Sequence, residues 1–156
     1  RRFETDFDRA LVVATGNALL AHLGVAGTTV HCRDEGPKQC AAGIVEHVRL
    51  HYGKPKIAFV GFQPALIEAL AREFDMRVTD MDPANVGQAR LGVTIEGPEN
   101  TAAVIDWADV VLVTGTTLAN DTLDDILSDK PTLFYGVTSA GLTALFGYER
   151  YCPQAV

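Results

Sequence analysis

Long apolar runs are missing from this sequence of 156 residues. A helix that crosses a bilayer needs about 18 or more consecutive apolar residues, so we expect no transmembrane helix. The charged opening residues lead into no apolar signal core, and we therefore expect no export signal. Glycine and proline number only 14 and 7, which excludes a collagen-like or low-complexity chain.

Basic residues are outnumbered, because 13 Lys and Arg face 20 Asp and Glu, for a formal net charge of −7. A negatively charged surface repels phosphate backbones, and no run of Lys or Arg offsets it, so we expect neither nucleic-acid binding nor electrostatic membrane attachment. Cysteine is scarce too. Cys32, Cys40 and Cys152 are odd in number and widely spaced, which is no disulfide framework and indicates a reduced, cytoplasmic protein.

The first part of the chain has mainly helical patterning. Apolar residues recur at helical spacing between residues 11 and 20, and Gly24 lies where the helix is expected to stop. A second helix is predicted from about Lys38 to Tyr52, with one apolar face. We interpret residues 1–55 as a helical amino-terminal extension.

From residue 56 onward, short apolar strands alternate with helices. The strands are predicted at 57–60, 76–79, 109–113 and 132–135, with a further short one at 93–95. A helix that begins at Asn120 or Asp121 is predicted to turn its apolar residues, Leu123, Ile126 and Leu127, inward. The alternation predicts a three-layer, Rossmann-like α/β domain over residues 56–156, with a mostly parallel sheet of about five strands in the order 3-2-1-4-5.

In such a sheet, ligands bind beyond the carboxyl ends of the strands, where the strand order reverses. The first strand is followed by Gly61 and Phe62 but lacks the G-x-G-x-x-G pattern, so we expect weak or no NAD binding. The second is followed by Asp80 and Asp82. Asp80 has the spacing of an acid that binds ribose, as for S-adenosylmethionine. The alternatives are that both acids bind a metal, or that Asp82 begins a turn with Pro83.

The most unusual segment follows the strand at 109–113 and contains Thr114, Gly115, Thr116, Thr117 and Asn120. Such a segment offers hydroxyls, backbone N–H groups and an amide to a small polar ligand, and the N-terminus of the predicted helix favours an anion. Ser139, after the last strand, either caps the next helix or faces the same crevice. We predict that all these residues, together with Gly61, Phe62, Asp80 and Asp82, form one ligand-binding site.

The second helix carries a candidate metal site. Cys40, His47 and His51 fall within roughly 40° of one another at 100° per residue. Histidines four residues apart are able to share a metal, and His31 with Cys32 would complete a soft site. The alternative is simple packing at the edge of the apolar face, because the spacing matches no zinc signature. A divalent metal ion is therefore a candidate cofactor.

The segment from Asp109 to Thr122 resembles the signature of the putative heavy-metal chelation family, a prokaryotic group with a Rossmann-like carboxyl-terminal domain. Residues 60–64 resemble the first strand and turn of that domain, 147–149 its closing segment, and Asn17 to Leu20 the helix that precedes it. The resemblance implies a protein that binds a small ligand or a heavy-metal chelate and acts in metal or metallocofactor handling.

Members of that family usually carry an additional domain that resembles the amino-terminal part of enolase, with the site between the two domains. Only about 55 residues precede the Rossmann-like unit here. The resemblance therefore implies a homo-oligomer or a second chain that supplies the companion domain. Two further hypotheses remain open: an enzyme that binds a nucleotide-like cofactor such as S-adenosylmethionine, and a non-catalytic regulatory or scaffold domain.

Overall fold

A seven-stranded sheet organises residues 3–156, the part of the chain that the computed structural model describes. The helices are α1 (Asp6–His22), α2 (Gly36–Tyr52), α3 (Pro64–Ala71), α4 (Thr101–Trp107) and α5 (Ala140–Phe146). The strands are β1 (Ile57–Val60), β2 (Met76–Thr79), β3 (Ala89–Arg90), β4 (Val93–Glu96), β5 (Val110–Thr114), β6 (Thr132–Tyr135) and β7 (Glu149–Tyr151). No helix in this described part is long and apolar enough to cross a membrane.

The strand order is β3-β4-β2-β1-β5-β6-β7, and all the pairings are parallel except that of β3 with β4. The five inner strands have the predicted order, so the predicted doubly wound, mostly parallel sheet is confirmed. The two edge strands are only two and three residues long. Strands this short carry too little apolar patterning to be found from sequence. The strand order reverses between β1 and β5, which is the switch point of the sheet.

Helices cover both faces of the sheet and make three layers. On one face, Ile44 and Val48 of α2 pack with residues of α3 against Phe59. On the other face, Val104 of α4 packs against Phe134. Burial on both faces explains why the central strands are continuous apolar runs. Because α2 and α3 cover the same face, the boundary predicted at residue 55 falls between two elements of one layer.

The prediction of a helix that begins at Asn120 or Asp121 is wrong. Residues 119–131 form turns, and Asp121 has a φ of 59°, a left-handed conformation that an α-helix does not contain. Leu123, Ile126 and Leu127 nevertheless pack against the same core face as α4. The spacing of these apolar residues therefore indicates that the segment is buried, but not that it is helical.

Helix α1 has no buried residue, and Asn17 attaches it to the start of α5. The Asn17 side-chain NH₂ donates to the carbonyl oxygen of Thr138 at 3.0 Å, and its amide oxygen accepts from the backbone N–H of Gly141 at 2.7 Å. A Cβ atom at Gly141 would lie 2.7 Å from the Asn17 amide oxygen. The glycine is therefore what allows this close contact between the two helices.

Replacing Asn17 with Ala should lower the free energy of unfolding by roughly 1–3 kcal/mol, because it leaves part-buried backbone groups without their partners. Urea denaturation followed by circular dichroism measures the change. The matched control is Thr15→Ala, on an exposed position of the same helix, which should change stability by less than about 0.5 kcal/mol. Equal stability of the two variants would show that Asn17 does not attach α1.

Candidate functional site

A cavity of about 140 Å³ opens at the carboxyl edge of the sheet, beside the switch point. Residues at or after the ends of β1, β2, β4 and β5 surround it. The lining consists of Val60, Gly61, Thr79, Asp80, Met81, Pro98, Thr101, Thr114, Thr116, Thr117, Asn120, Thr122, Asp125 and Ile126. We call this the switch-point cavity.

Six of the ten residues predicted for the ligand site line this cavity: Gly61, Asp80, Thr114, Thr116, Thr117 and Asn120. Three of the predicted strand ends, those of β1, β2 and β5, therefore meet at the cavity, whereas no residue after β6 lines it. The four predicted residues that do not line the cavity are Phe62, Asp82, Gly115 and Ser139. The binding role of the six stays a prediction.

Phe62 and Asp82 have structural surroundings of their own. Phe62 packs against the core beneath the Arg90 guanidinium, whose carbon lies 4.4 Å from the ring centroid. The Asp82 carboxylate accepts a hydrogen bond from the backbone N–H of Ala84 at 2.9 Å. Asp82 therefore begins a turn, which was the alternative interpretation of this residue.

Gly115 and Ser139 contact each other behind the cavity. A Cβ atom at Gly115 would lie 2.3 Å from the backbone nitrogen of Ser139, so only glycine lets the two loops approach. Ser139 occupies the position before α5 but makes no side-chain capping hydrogen bond. Its hydroxyl is buried, with no hydrogen-bond partner among the residues that the structure describes. Neither predicted role of Ser139, as a helix cap or as a cavity residue, matches this placement.

The turn after β1 is pressed against the end of β5. Gly61 has a φ of 100°, and a Cβ atom there would lie 2.7 Å from the Thr114 methyl carbon and 2.8 Å from the Tyr135 hydroxyl. That hydroxyl donates to the carbonyl oxygen of Val60 at 2.9 Å. Burial raises the pKa of Tyr135, so its hydroxyl keeps the proton that it donates. The glycine in this turn is required by both conformation and space.

Hydroxyl groups of the threonine-rich segment form hydrogen bonds within the segment itself. Oγ1 of Thr114 accepts from the Thr116 hydroxyl at 3.1 Å and from the Thr116 backbone N–H at 3.4 Å. The buried Thr117 hydroxyl donates to the Thr114 carbonyl oxygen at 2.9 Å. These bonds close a single 3₁₀ turn over residues 115–118. Internal bonding therefore explains some of the threonine density that suggested a ligand site.

Apolar and polar side chains both line the switch-point cavity, and the polar ones carry hydroxyl, amide or carboxylate groups. Asp80 and Asp125 contribute carboxylates, and no Lys or Arg occurs among the lining residues that the structure describes. Asp80 is held in place because its Oδ1 accepts from the Asp82 backbone N–H and from the Asn85 amide, both at 2.9 Å. The helix N-terminus predicted to attract an anion is absent. The cavity therefore favours a cationic or hydrogen-bond-donating ligand.

A second group of polar side chains joins α2 to β7. His47 Nε2 lies 2.9 Å from Glu149 Oε1, and the rings of His47 and His51 stack with centroids 4.2 Å apart. The Tyr52 hydroxyl donates to Glu149 Oε2 at 2.6 Å, and burial with this bond raises the pKa of Tyr52. We call His47, His51 and Glu149 the histidine cluster.

Cys40 does not belong to the histidine cluster. It precedes His47 by about two helical turns, roughly 10 Å along the axis of α2. It instead lines a cavity of about 70 Å³ with Cys32, Cys152 and His31. All three cysteines are free, and burial raises the pKa of both Cys40 and Cys152. The predicted trio of Cys40, His47 and His51 is thus divided between two places.

Comparison with known proteins identifies the family. A family model described as putative heavy-metal chelation matches residues 44–149. The chain belongs to this family. No curated protein matches the sequence. The match includes the switch-point cavity and the histidine cluster, whereas the three cysteines lie outside it.

Solved structures of the same family share the fold. A protein of unknown function from Pyrococcus horikoshii has a TM-score of 0.64 at 19% identity, covering 88% of this chain and 51% of that one. Another, from Desulfitobacterium hafniense, has a TM-score of 0.52 at 16% identity, covering 64% of this chain and 39% of that one. The chain therefore spans about half or less of the length of these relatives.

Several cavity residues in this family member escaped sequence reasoning. Pro98 and Thr101 follow β4. A search of every strand end would have found them, because Gly97 and Pro98 interrupt the chain directly after that strand. Thr122 and Asp125 belong to the irregular segment that was predicted as helix. Glu149 of the histidine cluster follows α2 by about 100 residues, and the resemblance of residues 147–149 to the family's closing segment gave it no ligand role.

The buried thiols give a testable reactivity. Because burial raises the pKa of Cys40 and Cys152, less thiolate is present at neutral pH and alkylation should be slow. Iodoacetamide labelling at pH 7.5, quantified by peptide mass spectrometry, should modify both several times more slowly in the folded than in the urea-unfolded chain. The labelling rate should rise as the pH is raised above about 9. Equal rates in folded and unfolded protein would contradict this prediction.

Proposed function

We propose that this chain binds a small cationic ligand, such as a positively charged metal chelate, in the switch-point cavity, and that it acts in metal or metallocofactor handling. One observation carries the proposal: the ends of four strands place carboxylate, hydroxyl and amide oxygens around a single cavity at the point where strand order reverses. The description of the family, putative heavy-metal chelation, agrees with this chemistry.

The volume of the cavity suits a small ligand. Pockets for drug-sized ligands enclose about 300–1,000 Å³, whereas this cavity has about 140 Å³. The Asp80 carboxylate is held by two hydrogen bonds before any ligand arrives. A preoriented acid loses little freedom on binding, which favours affinity.

The enzyme hypothesis is favoured by one observation. Asp80 follows β2 and reaches the cavity, and this is the position from which an acid of a Rossmann-like domain binds ribose hydroxyls. The small volume argues against a whole nucleoside within the cavity of this chain alone. The hypothesis of a regulatory or scaffold domain predicts that no small ligand binds there.

Association with a second copy or a companion chain forms part of the proposal. Phe7 and Leu11 on α1 and Phe146 at the end of α5 are 75%, 57% and 70% exposed. Large apolar side chains exposed in this number on neighbouring elements favour an interface. We infer a reducing, cytoplasmic setting for this assembly, because the three cysteines are unpaired.

Sedimentation velocity across a range of concentrations should reveal a dimer of this chain if a second copy covers α1. Changing Phe7 and Leu11 to Ser should then shift the distribution to monomer, because it removes apolar area from the interface. If the wild-type chain stays monomeric at every concentration, association with a second copy is excluded and association with a companion chain remains.

Changing Asp80 to Asn should abolish binding of a cationic probe in the cavity. Hexaamminecobalt(III) is a suitable probe because it is positively charged, inert and rich in N–H donors. In the wild-type protein it should shift the amide NMR signals of Gly61, Thr114 and Asn120, whereas NAD should not. The side-chain oxygen of Asn at position 80 is still able to accept hydrogen bonds from the Asp82 backbone N–H and the Asn85 amide. The fold should therefore be retained.

The matched control is Asp82→Asn, which removes the same charge two residues away and outside the cavity. It should weaken probe binding only slightly. A second pair of variants compares probe binding by Thr116→Val, in the cavity, with probe binding by Thr94→Val, on an exposed strand position. If Asp80→Asn and Asp82→Asn behave alike, the probe senses net charge and the proposed cavity site is wrong. Shifts produced by S-adenosylmethionine and lost in Asp80→Asn would instead favour the enzyme hypothesis.

A further inference from the structure

The histidine cluster lies at the other end of the sheet from the switch-point cavity. Glu149 is the first residue of β7, and it pairs with Leu133 near the start of β6, whereas the cavity residues lie at or beyond the last residues of their strands. We propose that His47, His51 and Glu149 form a binding site for a borderline divalent cation such as Zn²⁺. This site goes beyond the proposed function, because it uses none of the cavity residues.

The three side chains are already close enough to bind one ion. One ligand atom from each lies within 4.8 Å of the other two. In a tetrahedral site with bonds of 2.0–2.1 Å, ligand atoms are separated by about 3.4 Å. Side-chain rotations that shorten these separations by at most about 1.4 Å would bring the three atoms to that spacing.

Two elements fix the positions of the ligands. His47 and His51 are four residues apart on α2, which places both rings on one side of the helix. Parallel pairing of β7 with β6 brings Glu149 to the same place from a distant part of the chain. The cluster is thus created by tertiary structure and does not depend on a mobile loop.

Neighbouring groups orient the ligand atoms. Nδ1 of His51 lies 2.8 Å from the backbone carbonyl oxygen of His47, so in the neutral ring Nδ1 carries the hydrogen and Nε2 has the lone pair. The Tyr52 hydroxyl holds Glu149 through Oε2, which leaves Oε1 facing His47. Metal-binding histidines and carboxylates commonly have partners of this kind, which fix tautomer and direction.

The ligand set determines the class of ion. Two imidazoles and one carboxylate are the ligands of zinc sites that keep a fourth position for water. Imidazole suits Zn²⁺, Co²⁺, Ni²⁺ and Cu²⁺, whereas the thiolates that select the softest metals are absent from the cluster. The His47 side chain is 22% exposed and that of Glu149 42% exposed. Solvent therefore has access to the site and is able to complete the coordination.

Binding would also join α2 to the edge strand β7. The present link is the hydrogen bond of His47 with Glu149, supported by the Tyr151 ring, whose centroid lies 5.0 Å from that of His47. A cation that replaces this hydrogen bond should bind the folded chain more tightly than the unfolded one, in which the three ligands are far apart. It should therefore raise the melting temperature in a concentration-dependent way.

Titration of tag-free protein with Zn²⁺ against a chromophoric chelator tests the site. The wild-type chain should bind one equivalent, and the double change His47→Ala with His51→Ala should weaken this binding at least about tenfold. Glu149→Gln keeps the size of the side chain and an acceptor for Tyr52, so it should stay folded while losing affinity. Zn²⁺ should raise the melting temperature of the wild-type chain but not that of Glu149→Gln.

Matched controls separate this site from the other groups. His22→Ala changes an exposed histidine outside the cluster and should leave Zn²⁺ affinity unchanged. Asp80→Asn should also leave it unchanged, so failure of the cavity proposal would not affect this result. The inference is overturned if the double histidine variant binds Zn²⁺ as the wild type does. It is equally overturned if only Cys32→Ser or Cys152→Ser abolishes binding, because the ion would then occupy the cysteine-lined cavity.

Discussion

Parallel pairing of β1 with β5 is the constraint on which the rest of the structure depends. Residue 57 pairs with 110 and residue 60 with 113, so the last residue of β1 lies level with the last but one of β5. The residues that follow, Gly61 and Thr114, must then lie side by side, and the chain turns in opposite directions from them. Only glycine fits beside the Thr114 methyl group. The switch-point cavity exists because neither strand end is able to fill the space between them.

The sequence was sufficient to predict the layered fold because burial leaves a direct mark on it. Strands such as β1 and β5, buried on both faces, are continuous apolar runs, and the helices between them show one apolar face. The segment after Asn120 misled this reasoning, because apolar residues at helical spacing also suit an irregular chain that covers a core. Edge strands β3 and β7 could not be predicted, since they are too short to carry a pattern.

The candidate sites were only partly predictable, for a related reason. Strand ends are visible in sequence, so Gly61 and Asp80 could be placed at one edge, and the structure does bring them to one cavity. The direction of a side chain after a turn depends on contacts that no local pattern contains. Ser139 is turned into the protein behind the cavity, and Glu149 reaches His47 from the far end of the chain.

One correction to the secondary structure reverses the sign of the expected ligand. A helix beginning at Asn120 would have directed a positive dipole and free N–H groups at the cavity, which favours an anion. With turns in its place, the same segment supplies Asp125 to a lining that already contains Asp80. The chain also carries a net charge of −7, which attracts cations and repels anions over several ångströms. Local and overall electrostatics therefore agree, and a cationic metal species suits this cavity better than the phosphate of a nucleotide.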